Sequence, residues 1–119
     1  MSQRILIVDD DESTRQVLGR LLAGEGYLTE TCESAVKALQ LLLSGEYDDL
    51  LTDLLMDDMT GLELVRASRE VSPALRRIIM TGHPRTEGAG ADVEWIAKPI
   101  DVDQLLALLA APLLALSKG

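Results

Sequence analysis

The chain has one cysteine, one histidine, few basic residues and no long apolar run. Each shortage removes a class of function. Cys32 has no second thiol for an intrachain disulfide, and a lone thiol suits a reducing compartment such as the cytoplasm. It reads as a small buried residue after a strand, since a catalytic cysteine would need His83, the only histidine, as its base. Against 20 Asp and Glu stand only 11 Lys and Arg, for a net charge of −9. No cationic surplus neutralises nucleic-acid phosphates, so direct nucleic-acid binding is not expected. A divalent cation or a basic partner is compatible. The longest uncharged run, Gln104 to Ser117, has 14 residues and contains Pro112. That is short of the ~20 apolar residues a membrane span needs. The opening Ile5 to Val8 run meets three acids at once, which is no secretory pattern.

What is present is a chain of 119 residues, 47 % apolar, the size of one domain over 1–119. Residues 112–119 read as a tail or the start of a linker. Short apolar runs alternate with amphipathic stretches. Arg4 to Val8 is a strand buried on both faces. A helix follows from Ser13 to Glu25, with Ser13 and Gln16 at capping-box spacing and Val17, Leu18, Leu21 and Leu22 on its buried face. Tyr27 to Thr31 is an edge strand. Ser34 caps a second helix through Ser44, buried through Val36, Leu39, Leu42 and Leu43. Asp49 to Asp53 is the third strand. Thr60 and Glu63 start a third helix, Gly61 to Val71. Arg76 to Thr81 and Val93 to Ala97 are the last strands, and Asp101 opens a C-terminal helix.

This order predicts an α/β, doubly wound, five-stranded parallel sheet of order 2-1-3-4-5. Ligands bind such sheets at the carboxyl ends of the strands, where the order reverses between strands 1 and 3. Strand 1 ends in Asp9, Asp10 and Asp11, and strand 3 in Asp53. Strand 4 ends in Thr81, and strand 5 in Lys98 and Pro99. Carboxylates brought this close repel one another, and a cation relieves the conflict. Mg²⁺ suits one or two carboxylates plus phosphate oxygens. One carboxylate then stays free to accept a phosphoryl group. The Lys98 ammonium and the Thr81 hydroxyl match the charge spread over its oxygens. Asp11 reads instead as a helix-start acid.

The segments ILIVDD at Ile5 to Asp10, LLTDLLMDDMTGLEL around Asp53, IIMTG at Thr81 and WIAKPI at Lys98 and Pro99 resemble the receiver domain of bacterial response regulators. The resemblance runs from Arg4 to about Leu109. It implies a flavodoxin-like fold, a histidine kinase or phosphotransfer protein as donor, and Asp53 as the phospho-acceptor. It implies Mg²⁺ held by Asp10 and Asp53, with help from Asp9 and the backbone carbonyl of Leu55. Lys98-Pro99 would be a cis peptide. Trp95 stands where the family carries an aromatic switch, acting with Thr81. The implied role is a cytoplasmic two-component phosphorelay switch that acts on a downstream protein. It is no turnover enzyme: phosphoryl transfer and slow autodephosphorylation are self-catalysed. The alternatives are a pseudo-receiver that binds partners without phosphorylation, and a phosphatase with a strand-1 nucleophile. The phosphatase leaves Asp53 unexplained.

Two departures stand out. The family usually has proline where this chain has Asp57, so the loop loses rigidity and gains two negative charges, Asp57 and Asp58, near the site. Only Gly82 to Asp92 join strands 4 and 5, so the fourth helix is expected to be shortened or missing, at most Thr86 to Ala91. His83 is expected at the pocket mouth. The leucines of the C-terminal helix, from Leu105 to Leu116, cover more than one face and suggest a homodimer through that helix.

Overall fold

The computed structural model describes residues 3–82, 90 and 92–111. Its elements run β1 (Arg4–Val8), α1 (Glu12–Gly24), β2 (Leu28–Cys32), α2 (Ala35–Ser44), β3 (Asp49–Asp53), α3 (Gly61–Val71), β4 (Arg76–Thr81), β5 (Val93–Ala97) and α4 (Val102–Ala110). All strand pairs are parallel, in the order β2-β1-β3-β4-β5. This is the doubly wound, flavodoxin-like arrangement expected. Its four helices are those of the described residues. The segment Thr86 to Ala91 expected as a short crossover helix lies outside them, as does His83, apart from Gly90.

The strands alternate their side chains between two apolar layers. Leu6, Val8, Leu50 and Ile79 face α2 and α3, where Ala35, Ala38, Leu42, Leu64 and Val65 complete one layer. Ile5, Ile7, Leu51, Ile78 and Met80 face α1 and α4, where Leu18, Leu22, Leu105 and Leu109 complete the other. Burial on both faces explains why β1, β3 and β4 read as continuous apolar runs.

Several local expectations need correction. Helix α1 starts one residue early, with Asp11 at its N-cap, so Ser13 and Gln16 lie within the helix and form no capping box. Val17 is 62 % exposed, and the buried stripe of α1 is Leu18 and Leu22. In α2, Val36 and Leu43 are exposed while Ala35, Ala38 and Leu42 are buried. That helix packs on the sheet through small residues, which permits close approach. Strand β2 begins at Leu28 rather than Tyr27 and reaches Cys32. Ser34 caps α2 by accepting from the Lys37 N–H, and Thr60 with Glu63 forms the full capping box of α3. In α4, Leu106 and Leu108 are half-buried against the same layer as Leu105 and Leu109. Leu113, Leu114 and Leu116 lie outside the described residues.

The amino end of β4 carries two buried arginines. Arg76 points toward α4: Nη1 donates to the Leu108 carbonyl and Nη2 to that of Ala111. Its Nε lies 3.5 Å from Oδ1 of Asp49, which is itself fully buried. Gln3 Nε2 bridges the same corner, donating to Oδ2 of Asp49 and to the Leu109 carbonyl. Arg77 points the other way, toward the end of α3. It donates to Ser68 Oγ at 2.8 Å, to the Leu75 carbonyl at 2.8 Å and to the Ser72 carbonyl at 2.7 Å. Cations placed at helix C-termini meet the carbonyls left unpaired there and the negative end of the dipole.

Candidate functional site

The register puts the acids together. Val8 of β1 pairs with Thr52 of β3, so Asp9 and Asp53 follow side by side at the carboxyl edge. One carboxylate oxygen each from Asp9, Asp10 and Asp53 lies within 4.8 Å of the others. Asp9 is 1 % exposed, Asp53 is half-buried and Asp10 is exposed, so the cluster opens to solvent on one side.

Each acid is held differently. Asp9 Oδ1 accepts the Asp11 N–H at 2.9 Å, and the Asp9 carbonyl accepts from Arg15 at 2.8 Å. Asp9 Oδ2 is buried with no hydrogen-bond donor. Asp53 Oδ1 accepts the Leu54 N–H at 3.0 Å. Partial desolvation, then the charges of Asp57 and Asp9, push the Asp10 carboxyl above the usual range. Asp11 stands apart at the start of α1, where its carboxylate accepts from Thr14 Oγ1 at 2.6 Å. That hydrogen bond holds its carboxyl below the usual range.

Lys98 brings a positive charge to the cluster. Its Nζ lies 2.9 Å from Asp53 Oδ1 and 3.5 Å from Asp9 Oδ2. Burial works against the ammonium, but the two carboxylates outweigh it and hold its pKa above the usual lysine value. The Lys98 N–H donates to the Thr81 carbonyl at 2.8 Å, which seats the lysine beside the end of β4. Thr81 is 3 % exposed and pairs in register with Ala97. Lys98-Pro99 is a cis peptide, as expected. Trp95 is half-buried on β5, packed against the layer shared with α2 and α3.

The loop from Leu54 to Thr60 carries the rest of the rim. Its base is closed by the Gly61 N–H on the Leu54 carbonyl at 2.7 Å. A Cβ at Gly61 would collide with the Asp53 carbonyl oxygen, so only glycine permits this closure. The Leu55 side chain is exposed. Asp57 acts on Asp10 as expected. Asp58 does not: its carboxylate turns away to the amino end of α2, accepting the Ala35 N–H at 3.3 Å and the Val36 N–H at 3.0 Å. Those backbone donors hold its carboxyl below the usual range. This contact joins residues far apart in sequence, and no spacing rule announces it.

The donor set fits a hard divalent cation. Three carboxylates with convergent oxygens, one of them Asp9, which also has a buried oxygen without a hydrogen-bond donor, offer the ligand chemistry Mg²⁺ takes. Among the described residues no helix is long and apolar enough to cross a membrane.

The family model described as "Response regulator receiver domain" matches residues 5–110. The DNA-binding transcriptional regulator NtrC of Proteus hauseri is 40 % identical over 111 residues, covering 88 % of this chain and 23 % of that protein. The chain spans from about a quarter to half the length of the curated relatives it matches. Among solved structures, the CheY-like response regulator receiver domain protein from Methanospirillum hungatei superposes with a TM-score of 0.88 at 31 % identity, covering 99 % of this chain and 98 % of that one. The response regulator TrrA from Thermotoga maritima, solved in complex with Mg²⁺-BeF, gives 0.83 at 30 % identity, covering 90 % and 96 %.

Proposed function

The chain belongs to the response regulator receiver domain family, and on that premise we propose that Asp53 accepts a phosphoryl group from the phosphohistidine of a sensor kinase or phosphotransfer protein. The observation that carries this reading is the placement of Asp53. It lies in a cluster with Asp9 and Asp10, its Oδ1 is 2.9 Å from the Lys98 ammonium, and one side stays open to solvent.

In this reading Asp9, Asp10 and Asp53 hold Mg²⁺, with the Leu55 carbonyl as a further ligand. The cation supplies charge neutralisation for the phosphoryl oxygens. The free carboxylate oxygen of Asp53 attacks phosphorus in line with the departing imidazole nitrogen. A P–O bond forms as the P–N bond breaks. Lys98 already stands on the acceptor and moves with little reorganisation onto a phosphoryl oxygen, where it offsets the developing charge. The Thr81 hydroxyl takes a second phosphoryl oxygen, and Trp95 repacks in response. Output then passes to a protein target, with self-association through α4 as one route. The chemistry is a single transfer onto the protein, not turnover of a substrate. A pseudo-receiver is not favoured, because the acids, the threonine and the lysine are all present.

The test is incubation with Mg²⁺ and acetyl phosphate, read by intact mass. One phosphoryl group per chain is expected, absent from Asp53→Asn and absent when Mg²⁺ is chelated. An unlabelled wild-type chain, or a labelled Asp53→Asn chain, sinks the proposal.

A further inference from the structure

The loop after Asp53 lacks the proline that the family pattern has at position 57, yet it is anchored at its tip. Helix α2 leaves three N–H groups without carbonyl partners, those of Ala35, Val36 and Lys37, since the first intrahelical bond runs from the Ala38 N–H to the Ser34 carbonyl. Ser34 Oγ takes the third of these, at 3.1 Å. The first two go to the Asp58 carboxylate, at 3.3 and 3.0 Å. Asp58 Oδ1 also accepts its own neighbour's N–H, from Met59, at 3.1 Å, which folds the tip back on itself. All three donors of the helix start are thereby satisfied, two of them by a residue of another loop. The negative carboxylate also sits at the positive end of the helix dipole.

This gives the loop two fixed points. At its base the Gly61 N–H holds the Leu54 carbonyl. At its tip Asp58 is clasped to α2. Leu55, whose carbonyl completes the proposed metal site, lies between them. Met56 and Met59, partly buried, pack against the apolar layer to which α2 and α3 both contribute.

We infer that Asp58 is a positioning residue for the metal-binding loop: by bridging to the Ala35 and Val36 N–H groups it supplies the restraint that a proline at position 57 would otherwise provide. It does not touch the metal. It acts through the backbone between Leu54 and Thr60. The inference rests on the reading of the acid cluster as a Mg²⁺ site.

The experiment is a calorimetric titration of MgCl₂ into four forms of the whole chain. These are wild type, Asp58→Ala, Ser34→Ala, and the double variant Asp57→Pro with Asp58→Ala. Circular dichroism first checks that each is folded, and Asp58→Asn replaces Asp58→Ala if the latter is not. Loss of a partner that orients a ligand weakens metal binding by about tenfold or more, and that is expected for Asp58→Ala. Ser34→Ala removes a cap from the same helix without touching the loop, and should bind within twofold of wild type. The double variant has lost both charges, and its affinity should still return toward wild type because proline restores the stiffness.

A wild-type affinity in Asp58→Ala overturns the inference and leaves the receiver reading intact. Equal weakening by Ser34→Ala overturns it too, because helix stability would then be the cause. A double variant as weak as Asp58→Ala assigns the loss to charge and overturns it likewise. If wild type itself binds no Mg²⁺, the reading beneath the inference fails with it.

Discussion

The Nζ of Lys98 lies 2.9 Å from Oδ1 of Asp53 and, at 3.5 Å, is also the cation beside the buried Oδ2 of Asp9. One ammonium therefore serves two carboxylates from different strands. A metal entering the cluster would meet an ammonium already paired with two of its carboxylates.

Lys98→Ala should separate metal affinity from chemistry. Without the ammonium the three acids repel each other unopposed, and a divalent cation is drawn in more strongly. Mg²⁺ affinity should rise several-fold by calorimetry. Labelling by acetyl phosphate should slow by about tenfold or more, because a donor for the developing charge is gone. A variant that binds Mg²⁺ more weakly than wild type would show that Lys98 is needed to shape the site rather than to balance it.

Asp49 gives a pH dependence that belongs to the other end of the sheet. Burial pushes its carboxyl up to about 6, and hydrogen bonding from Gln3 and the charge of Arg76 only partly oppose this. Unfolded, it releases its proton near the ordinary 3.8. Between those two values the folded chain binds more protons than the unfolded one. Its contribution to stability therefore falls as pH rises through that window and is level above it. The whole swing is about 3 kcal/mol at most. Other carboxylates titrate in the same range, so the informative quantity is wild type minus Asp49→Asn. Urea unfolding should show that difference declining from about pH 4 to about pH 6 and constant thereafter. A rising difference would mean that pairing with Arg76 outweighs burial.

Arg77 closes the end of α3 from within. Its three shortest bonds go to Ser68 Oγ and to the carbonyls of Ser72 and Leu75, all at 2.8 Å or less. Arg77→Ala should cost about 2–4 kcal/mol, combining a cavity with lost hydrogen bonds to a charged donor. Arg77→Met keeps much of the stem and removes the donors together with the charge that faces Asp92 at 3.8 Å. If methionine unfolds at the wild-type urea midpoint, the buried guanidinium contributes shape alone.

Much of this molecule was legible before its coordinates. Strand β3 ends where its apolar run meets Asp53, and α3 starts where Thr60 and Glu63 can bond each other's backbone, because these signals are local. The acid cluster was legible for a different reason. Once a parallel sheet is expected, topology alone brings the ends of β1 and β3 together. The start of α1 was not, because the Asp11 N–H is claimed by Asp9, a side chain whose own position depends on the sheet. In α2 the leucines outnumber the positions that face the core. Only packing reveals that Ala35 and Ala38 are buried while Leu43 is out. Nothing in the sequence marks Arg76 and Arg77 as buried, because their partners lie on helices that meet β4 only in three dimensions. Asp58 was misplaced for the same reason: its partners are more than 20 residues away.

The two arginines have a consequence for how the chain avoids misfolding. Arg76 and Arg77 are adjacent and point to opposite layers, and the residues after them alternate in step, Ile78 and Met80 on one side and Ile79 on the other. A strand of uniform apolar residues tolerates sliding, since either face accepts either side chain. Here a slip by one residue would swing each guanidinium away from its carbonyls and into the opposite apolar layer. The charged end thus works as a key that admits one alignment of β4 between β3 and β5. That alignment decides where the strand stops, and Thr81, the residue at which it stops, is five positions further along the same keyed strand.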